Sequence, residues 1–172
     1  AIDEAYEKYQ TELQTVDKDM AEQLNSLKEN IEAQEEIVNE QDKEIMNCEK
    51  NVSECETNYN NAKASRENYE SILSTLESTD STNMNAEQKS SLEEKIADAK
   101  TKLEETKEAE TEAEKALEEA KKALEDAKEK KEELISSNGG LDELNKQMTT
   151  LEGQIVEKYP ESEETQEYIK LA

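Results

Sequence analysis

The chain has 172 residues, of which 32% are hydrophobic and 39% charged, with a formal net charge of −25 and no Phe, Trp or His. Compact domains are closer to about 45–50% apolar, so this chain has apolar groups for a thin seam between helices but not for a thick core. The charge excludes nucleic acid, whose phosphates require a cationic face, and anionic membrane surfaces for the same reason. No apolar run approaches the length of a membrane span.

High charge with low hydrophobicity is also the mark of disorder. Against that, the chain holds 3 Gly and 1 Pro, and Glu, Lys, Ala and Leu, all strong helix formers, make up much of it. Arg66 is the single arginine, and most lysines are interleaved with acids. The partners this favours are cations, basic proteins and other copies of the chain or similar acidic helical proteins. A start at Ala1, without an initiator Met, is expected of a processed product or an excised fragment. A lost signal or propeptide would point to the secretory route.

Over residues 1–77 the apolar positions alternate steps of four and three, from Ile2, Tyr6, Tyr9 and Leu13 through Leu27, Ile31 and Ile45 to Leu73 and Leu76. This is the a/d stripe of a coiled coil, and it predicts one long outgoing helix. At Val16–Met20–Leu24 two steps of four follow each other, a stutter that unwinds a supercoil locally without requiring a break. Gln34, Gln41 and Arg66 are polar positions in the seam and are expected either to control register or to mark a locally weak spot. Tyr6, Tyr9, Tyr59 and Tyr69 fall on it as packing residues.

Residues 78–86 carry turn chemistry, because short polar side chains there compete with the backbone for hydrogen bonds. Asn85 or Ser90 is the expected cap of the next helix, and Ser90-Ser-Leu-Glu93 fits a capping box. A return helix over 87–136 has a second seam that includes Leu92, Ile96, Leu103, Leu117, Leu124 and Leu134. Small residues alternate with Leu from Ala99 to Ala127, which predicts close antiparallel packing. Residues 137–140, ending in Gly139 and Gly140, form a hinge able to take left-handed backbone conformations. A third helix over 141–159 follows, with Leu144, Met148, Leu151 and Ile155 on its seam. Pro160 ends it, and residues 160–172 form a short terminal helix carrying Tyr168 and Ile169.

The lengths predict an all-α fold, a long antiparallel coiled-coil hairpin reversing near Ser81, with a Gly-Gly hinge in the return arm and a short C-terminal helix. Leu92 would lie opposite Ile72 and Leu134 opposite Asn30. The third helix would then continue the return arm opposite residues 23 to 6, or fold back into a local three-helix bundle. Each arm of such a hairpin would be roughly 110 Å long.

Few residues carry chemistry. Cys48 and Cys55 stand one heptad apart, about 10.5 Å along a helix and beyond the roughly 7 Å limit for a disulfide. They act either as small apolar fillers or as partners of cysteines in another chain. Without His or a CxxC pair, neither a catalytic thiolate nor a zinc site is expected. The acidic clusters Glu104/Glu105/Glu108 and Glu161/Glu163/Glu164 lack the EF-hand pattern. They are solvated faces or diffuse, low-affinity calcium sites, in which calcium would relieve repulsion between packed helices. No certain cofactor and no enzyme activity are expected.

The stretch Cys48-Glu-Lys-Asn-Val-Ser-Glu-Cys55, continued by Tyr59 and Arg66-Glu-Asn-Tyr69, resembles the ciliate secretory-granule core proteins, the trichocyst matrix and granule lattice family. The high acidity, long heptad helices and start at Ala1 resemble that family too. The resemblance implies a structural, self-assembling protein of a secretory-granule lumen, with low-affinity calcium binding. The Ala/Glu/Lys-rich stretch from Lys107 to Lys128 is similar to helical stalks of bacterial surface proteins, which implies a spacer at a cell surface. An intracellular coiled-coil adaptor in the cytoplasm is the third reading.

Overall fold

The computed structural model describes residues 2–159 and 163–171. Pro160, Glu161 and the side chains of Tyr168 and Ile169 lie outside the described residues. The fold is all-α, 91% helical, with no strand among the described residues. Its elements are α1 (Ile2–Val16), α2 (Lys18–Glu77), α3 (Ala86–Ser136), α4 (Leu141–Lys158) and α5 (Glu163–Leu171). The chain divides into two units, which α2 and α3 both traverse: residues 1–43 with 128–172, and residues 44–127.

In the unit of residues 44–127, α2 and α3 lie antiparallel. Arg66 pairs with Glu110, Glu56 with Lys121 and Glu77 with Lys100 across the two helices. Asn85 and Gln88 form a reciprocal capping box at the start of α3. The Gln88 N–H donates to Asn85 Oδ1 at 2.8 Å, and the Asn85 N–H donates to Gln88 Oε1 at 3.0 Å. The box expected at Ser90–Glu93 is not formed, because the helix has already begun at Ala86. Asn85 also offers its amide oxygen at the earlier position.

The register differs from a tight reversal at Ser81, which would set Glu77 near Glu87. Instead Lys100 Nζ lies 3.8 Å from Glu77. The difference corresponds to about 20 Å of helix, more than the two side chains span even though both lean toward their own N-termini. Hence α3 begins beyond the end of α2. Residues 78–85 bridge the offset, with Ser81 and Met84 half-buried.

The unit of residues 1–43 and 128–172 corrects the expectation of one helix over 1–77. The Tyr6 hydroxyl donates to Asn25 Oδ1 at 3.3 Å, and Gln10 Nε2 donates to the Ala21 carbonyl at 2.7 Å. On a straight helix residues 6 and 25 would be about 28 Å apart, so α1 folds back antiparallel on α2, with Asp17 as the only residue between them. The stutter lies at this reversal. Two-helix packing would leave Tyr9 and Leu13 partly in water, whereas α1, α2 and α4 together enclose them. Tyr9, Leu13, Leu24 and Ile155 are essentially inaccessible here, and Leu151, Ala21 and Tyr6 complete the cluster. Removing apolar area from water contributes about 25 cal/mol per Å², which favours the reversal over an exposed straight segment. The terminal helix α5 packs on α1 and α4.

Asp17 holds the reversal. Its Oδ1 accepts from the Met20 N–H at 3.2 Å, capping α2. Its Oδ2 accepts from Lys158 Nζ at 2.6 Å and from the Tyr159 hydroxyl at 3.2 Å, binding the end of α4. These bonds, the one from Lys158 foremost, hold the Asp17 carboxyl below its ordinary value of 3.8.

Between α3 and α4 the helix bends by only 16° at 137–140, so α4 extends the return arm and does not fold back. Gly139 has φ +77°, a conformation that disfavours any Cβ. Its N–H donates to Glu143 Oε2 at 2.6 Å. A Cβ on Gly140 would meet three backbone carbonyl oxygens at 2.8–2.9 Å. Gly153, by contrast, lies in the middle of α4, facing open space.

Two predictions follow from these contacts. Gly140→Ala should destabilise the fold by about 1–3 kcal/mol and Gly139→Ala by about 1 kcal/mol, while Gly153→Ala stabilises it by about 0.5–1 kcal/mol. Urea titration followed by circular dichroism at 222 nm reads all three. For Asp17, a depressed carboxyl stabilises the fold above its unfolded-state pKa, and the contribution disappears as pH falls through the folded value. The stability difference between wild type and Asp17→Asn should therefore be full at neutral pH and shrink below about pH 3.8. Taking the difference cancels the general relief of repulsion that acid gives every other carboxylate.

Candidate functional site: seams and acidic faces

Heptad spacing places one stripe of each long helix against its neighbour, and burial follows it closely. In α2 every expected seam position from Leu24 to Leu76 is buried or half-buried, including Leu27, Ile31, Ile45 and Leu73. In α3 the positions Leu92, Ile96, Leu103, Leu117, Leu124 and Leu134 are likewise covered, and every residue off the stripe up to Leu134 is exposed. Leu13 is buried in the α1–α2–α4 cluster. Ile2 and Val16 depart from the pattern, being 44% and 53% exposed, because they mark the two ends of the folded-back α1.

The polar seam positions find partners. Gln34 Nε2 donates to the Leu134 carbonyl at 3.0 Å, one helical turn from the Asn30 position expected opposite Leu134. Gln41 is buried, and near it Lys131 Nζ sits 2.5 Å from Asp42. Arg66 extends two nitrogens to the Glu110 carboxylate, Nε at 2.5 Å and Nη2 at 3.3 Å, while Nη1 donates to Glu70 at 2.9 Å. The paired side chains are 21% and 18% exposed. The Arg66 bond holds the Glu110 carboxyl below its ordinary range and raises the guanidinium pKa in turn. The only arginine thus meets a glutamate that itself occupies a seam position. A planar fork of this kind tolerates little slippage.

Both cysteines are free thiols within this chain and half-buried. Cys48 Sγ lies 3.9 Å from Glu44 Oε1, and Cys55 Sγ lies 3.9 Å from Asn51 Oδ1. Partial burial and the Glu44 carboxylate push the Cys48 thiol pKa up, which suppresses the nucleophilic thiolate.

The candidate cation ligands occupy exposed faces. Glu104 pairs with Lys107 at 3.4 Å and Glu105 with Lys102 at 3.6 Å, while Glu108 and Glu163 face solvent. Glu164 lines a shallow groove with Glu4, Glu7, Lys8 and Glu12 of α1. Glu161 lies outside the described residues. Among the described residues no three Cys, Asp or Glu side chains cluster as a metal site.

Sequence reasoning missed two features. One is the Asp17–Lys158–Tyr159 junction, whose signals were the double step of four and an Asp three residues before Met20. The other is an open groove of about 820 Å³ between α2 and α4, with Leu27 and Leu151 among its lining and Asp19, Glu22, Glu143 and Lys146 around them. Among the described residues no helix is long and apolar enough to cross a membrane. No family model, curated protein or solved structure matches the chain.

If the Arg66–Glu110 fork sets register, Arg66→Glu and Glu110→Arg should each lower the thermal midpoint. The double swap should then restore most of the loss. Midpoints from circular dichroism decide it: a double variant no better than the singles would exclude the role.

Proposed function

We propose that this chain is a structural protein that acts by packing with copies of itself or with similar acidic helical chains, in an assembly whose packing responds to calcium at low affinity. The observation that carries the reading is the division of the α3 surface: a covered stripe mostly of small and branched residues, and an exposed outer face in which Glu and Lys predominate. On this reading the outer faces are the surface by which such helices meet other chains. With a net charge of −25, those faces repel one another until cations intervene.

Such a chain suits the matrix of a secretory granule, in line with the resemblance of the Cys48–Tyr69 stretch. Exposed apolar side chains on α2, Ile37, Met46 and Ile72, supply attractive contacts once repulsion is screened. The two free thiols allow covalent links between chains in an oxidising lumen.

Sedimentation velocity under non-reducing conditions tests the proposal, first with chelator, then with millimolar calcium, then with sodium chloride at matched ionic strength. Reversible growth into large species with calcium, and not with matched sodium chloride, is the expected result. An unchanged monomer or dimer in all three buffers would rule out calcium-responsive assembly and favour a spacer or adaptor.

A further inference from the structure

The reversal at Asp17 is unusual in what it lacks. A single residue separates α1 from α2, there is no Gly or Pro near it, and among the described residues none other than glycine adopts positive φ. The helical hydrogen-bond spacing persists on both sides: the Asp17 N–H donates to the Leu13 carbonyl at 2.7 Å, and the Ala21 N–H donates to the Asp17 carbonyl at 3.0 Å. Helix starts leave their first N–H groups without intrahelical acceptors. At the start of α2 the Asp17 side chain supplies an acceptor for Met20. Straightening at Asp17 would give those N–H groups the i−4 carbonyls of α1 and yield one continuous helix, the form the heptad spacing itself predicts.

The obstacle to straightening is the face it would strip. Tyr6, Tyr9 and Leu13 leave the cluster they share with Ala21, Leu24, Leu151 and Ile155, exposing two matched apolar surfaces. A second copy carries both complements. From this we infer that the chain exchanges α1 between two copies. Each straightens at Asp17 and inserts its Tyr6–Tyr9–Leu13 face into the α2–α4 site of the other. Every native α1 contact reforms between chains, which is why exchange of an identical element is a low-cost route to a dimer, and short hinges invite it. A continuous α1–α2 helix in each copy sets the two α2 helices antiparallel, with the hinges meeting at a two-fold axis. Val16, 53% exposed in the folded-back form, is then covered by its counterpart. Asp17 acts as the latch. Its cap on Met20 and its bonds to Lys158 and Tyr159 favour the closed monomer, so losing the carboxylate favours exchange. The inference rests on the self-assembly reading only in supposing that copies meet.

The test uses the full chain with Cys48→Ser and Cys55→Ser, and with Gln10→Cys and Ala21→Cys placed where α1 touches α2. Nitrogen-14 and nitrogen-15 protein are unfolded together, refolded and oxidised, and the linked peptides are weighed. Exchange predicts mixed-isotope links in the dimer fraction. Same-isotope links alone overturn it. A second measurement is independent of the introduced thiols. By sedimentation velocity, Asp17→Ala should raise the dimer association constant at least about tenfold, and a four-residue Gly-Ser insertion after Asp17 should return the chain to monomer. An unchanged or lower constant for Asp17→Ala also overturns the exchange. The two proposals fail separately. Calcium-driven growth with same-isotope links removes exchange and keeps the assembly reading, whereas mixed-isotope dimers indifferent to calcium do the reverse.

Discussion

The interaction on which the arrangement of residues 1–43 and 128–172 depends is the set of bonds to one carboxylate, Asp17. One oxygen caps α2 through Met20, and the other receives Lys158 and Tyr159 at the end of α4. Three helix ends therefore meet at a single side chain, which is only 14% exposed. The chain otherwise has little with which to hold such a corner, since its apolar groups are too few for a broad core. Folding α1 back concentrates them. Tyr9, Leu13, Leu24 and Ile155 reach near-complete burial there, while in residues 44–127 most seam positions stay half-exposed. Around the cluster, Lys28 sits 3.6 Å over the Tyr6 ring, a cation–π contact. Burial, with Glu32 and Glu29 nearby, pushes the Tyr6 hydroxyl up to about 12, so the phenol stays neutral and remains a donor to Asn25.

Much of this was legible in the residues. The seam from Leu24 to Leu76 and that from Leu92 to Leu134 needed only the alternation of threes and fours, because a two-helix contact buries one stripe and nothing else. The hinge at Gly139–Gly140 was legible too, since one position takes positive φ and the next has no room for a Cβ. The reversal at Asp17 was not. A stutter has the same spacing whether it unwinds a supercoil or marks a turn, and no Gly or Pro marks the site. The choice depends on what else is available to cover Tyr9 and Leu13, and that is α4, more than a hundred residues away. The register of α2 against α3 was missed for a related reason. It depends on how residues 78–85 bridge an offset, and on ionic forks such as Arg66–Glu110, which leave no periodic trace.

The same scarcity of apolar groups that makes the fold thin also bears on its function. An α3 whose covered stripe alternates alanine with leucine buries little area per turn, so its stability depends on polar matches at Gln34, Arg66 and Lys131 and on length. Like charges on the outer faces oppose further packing. Each exposed pair, such as Lys115 with Glu119 or Lys50 with Glu54, contributes well under about 1 kcal/mol and does not alter the net balance. On the proposed reading, neutralisation comes from outside the chain, by cations or by basic partners, before outer faces meet. The proposed exchange of α1 would depend less on such help, because it would reuse the apolar cluster of Tyr6, Tyr9, Leu13, Ala21, Leu24, Leu151 and Ile155. The two proposed modes of association are thus ordered by their electrostatics. On these proposals a swapped pair would form in low salt, and growth beyond it would wait for neutralisation.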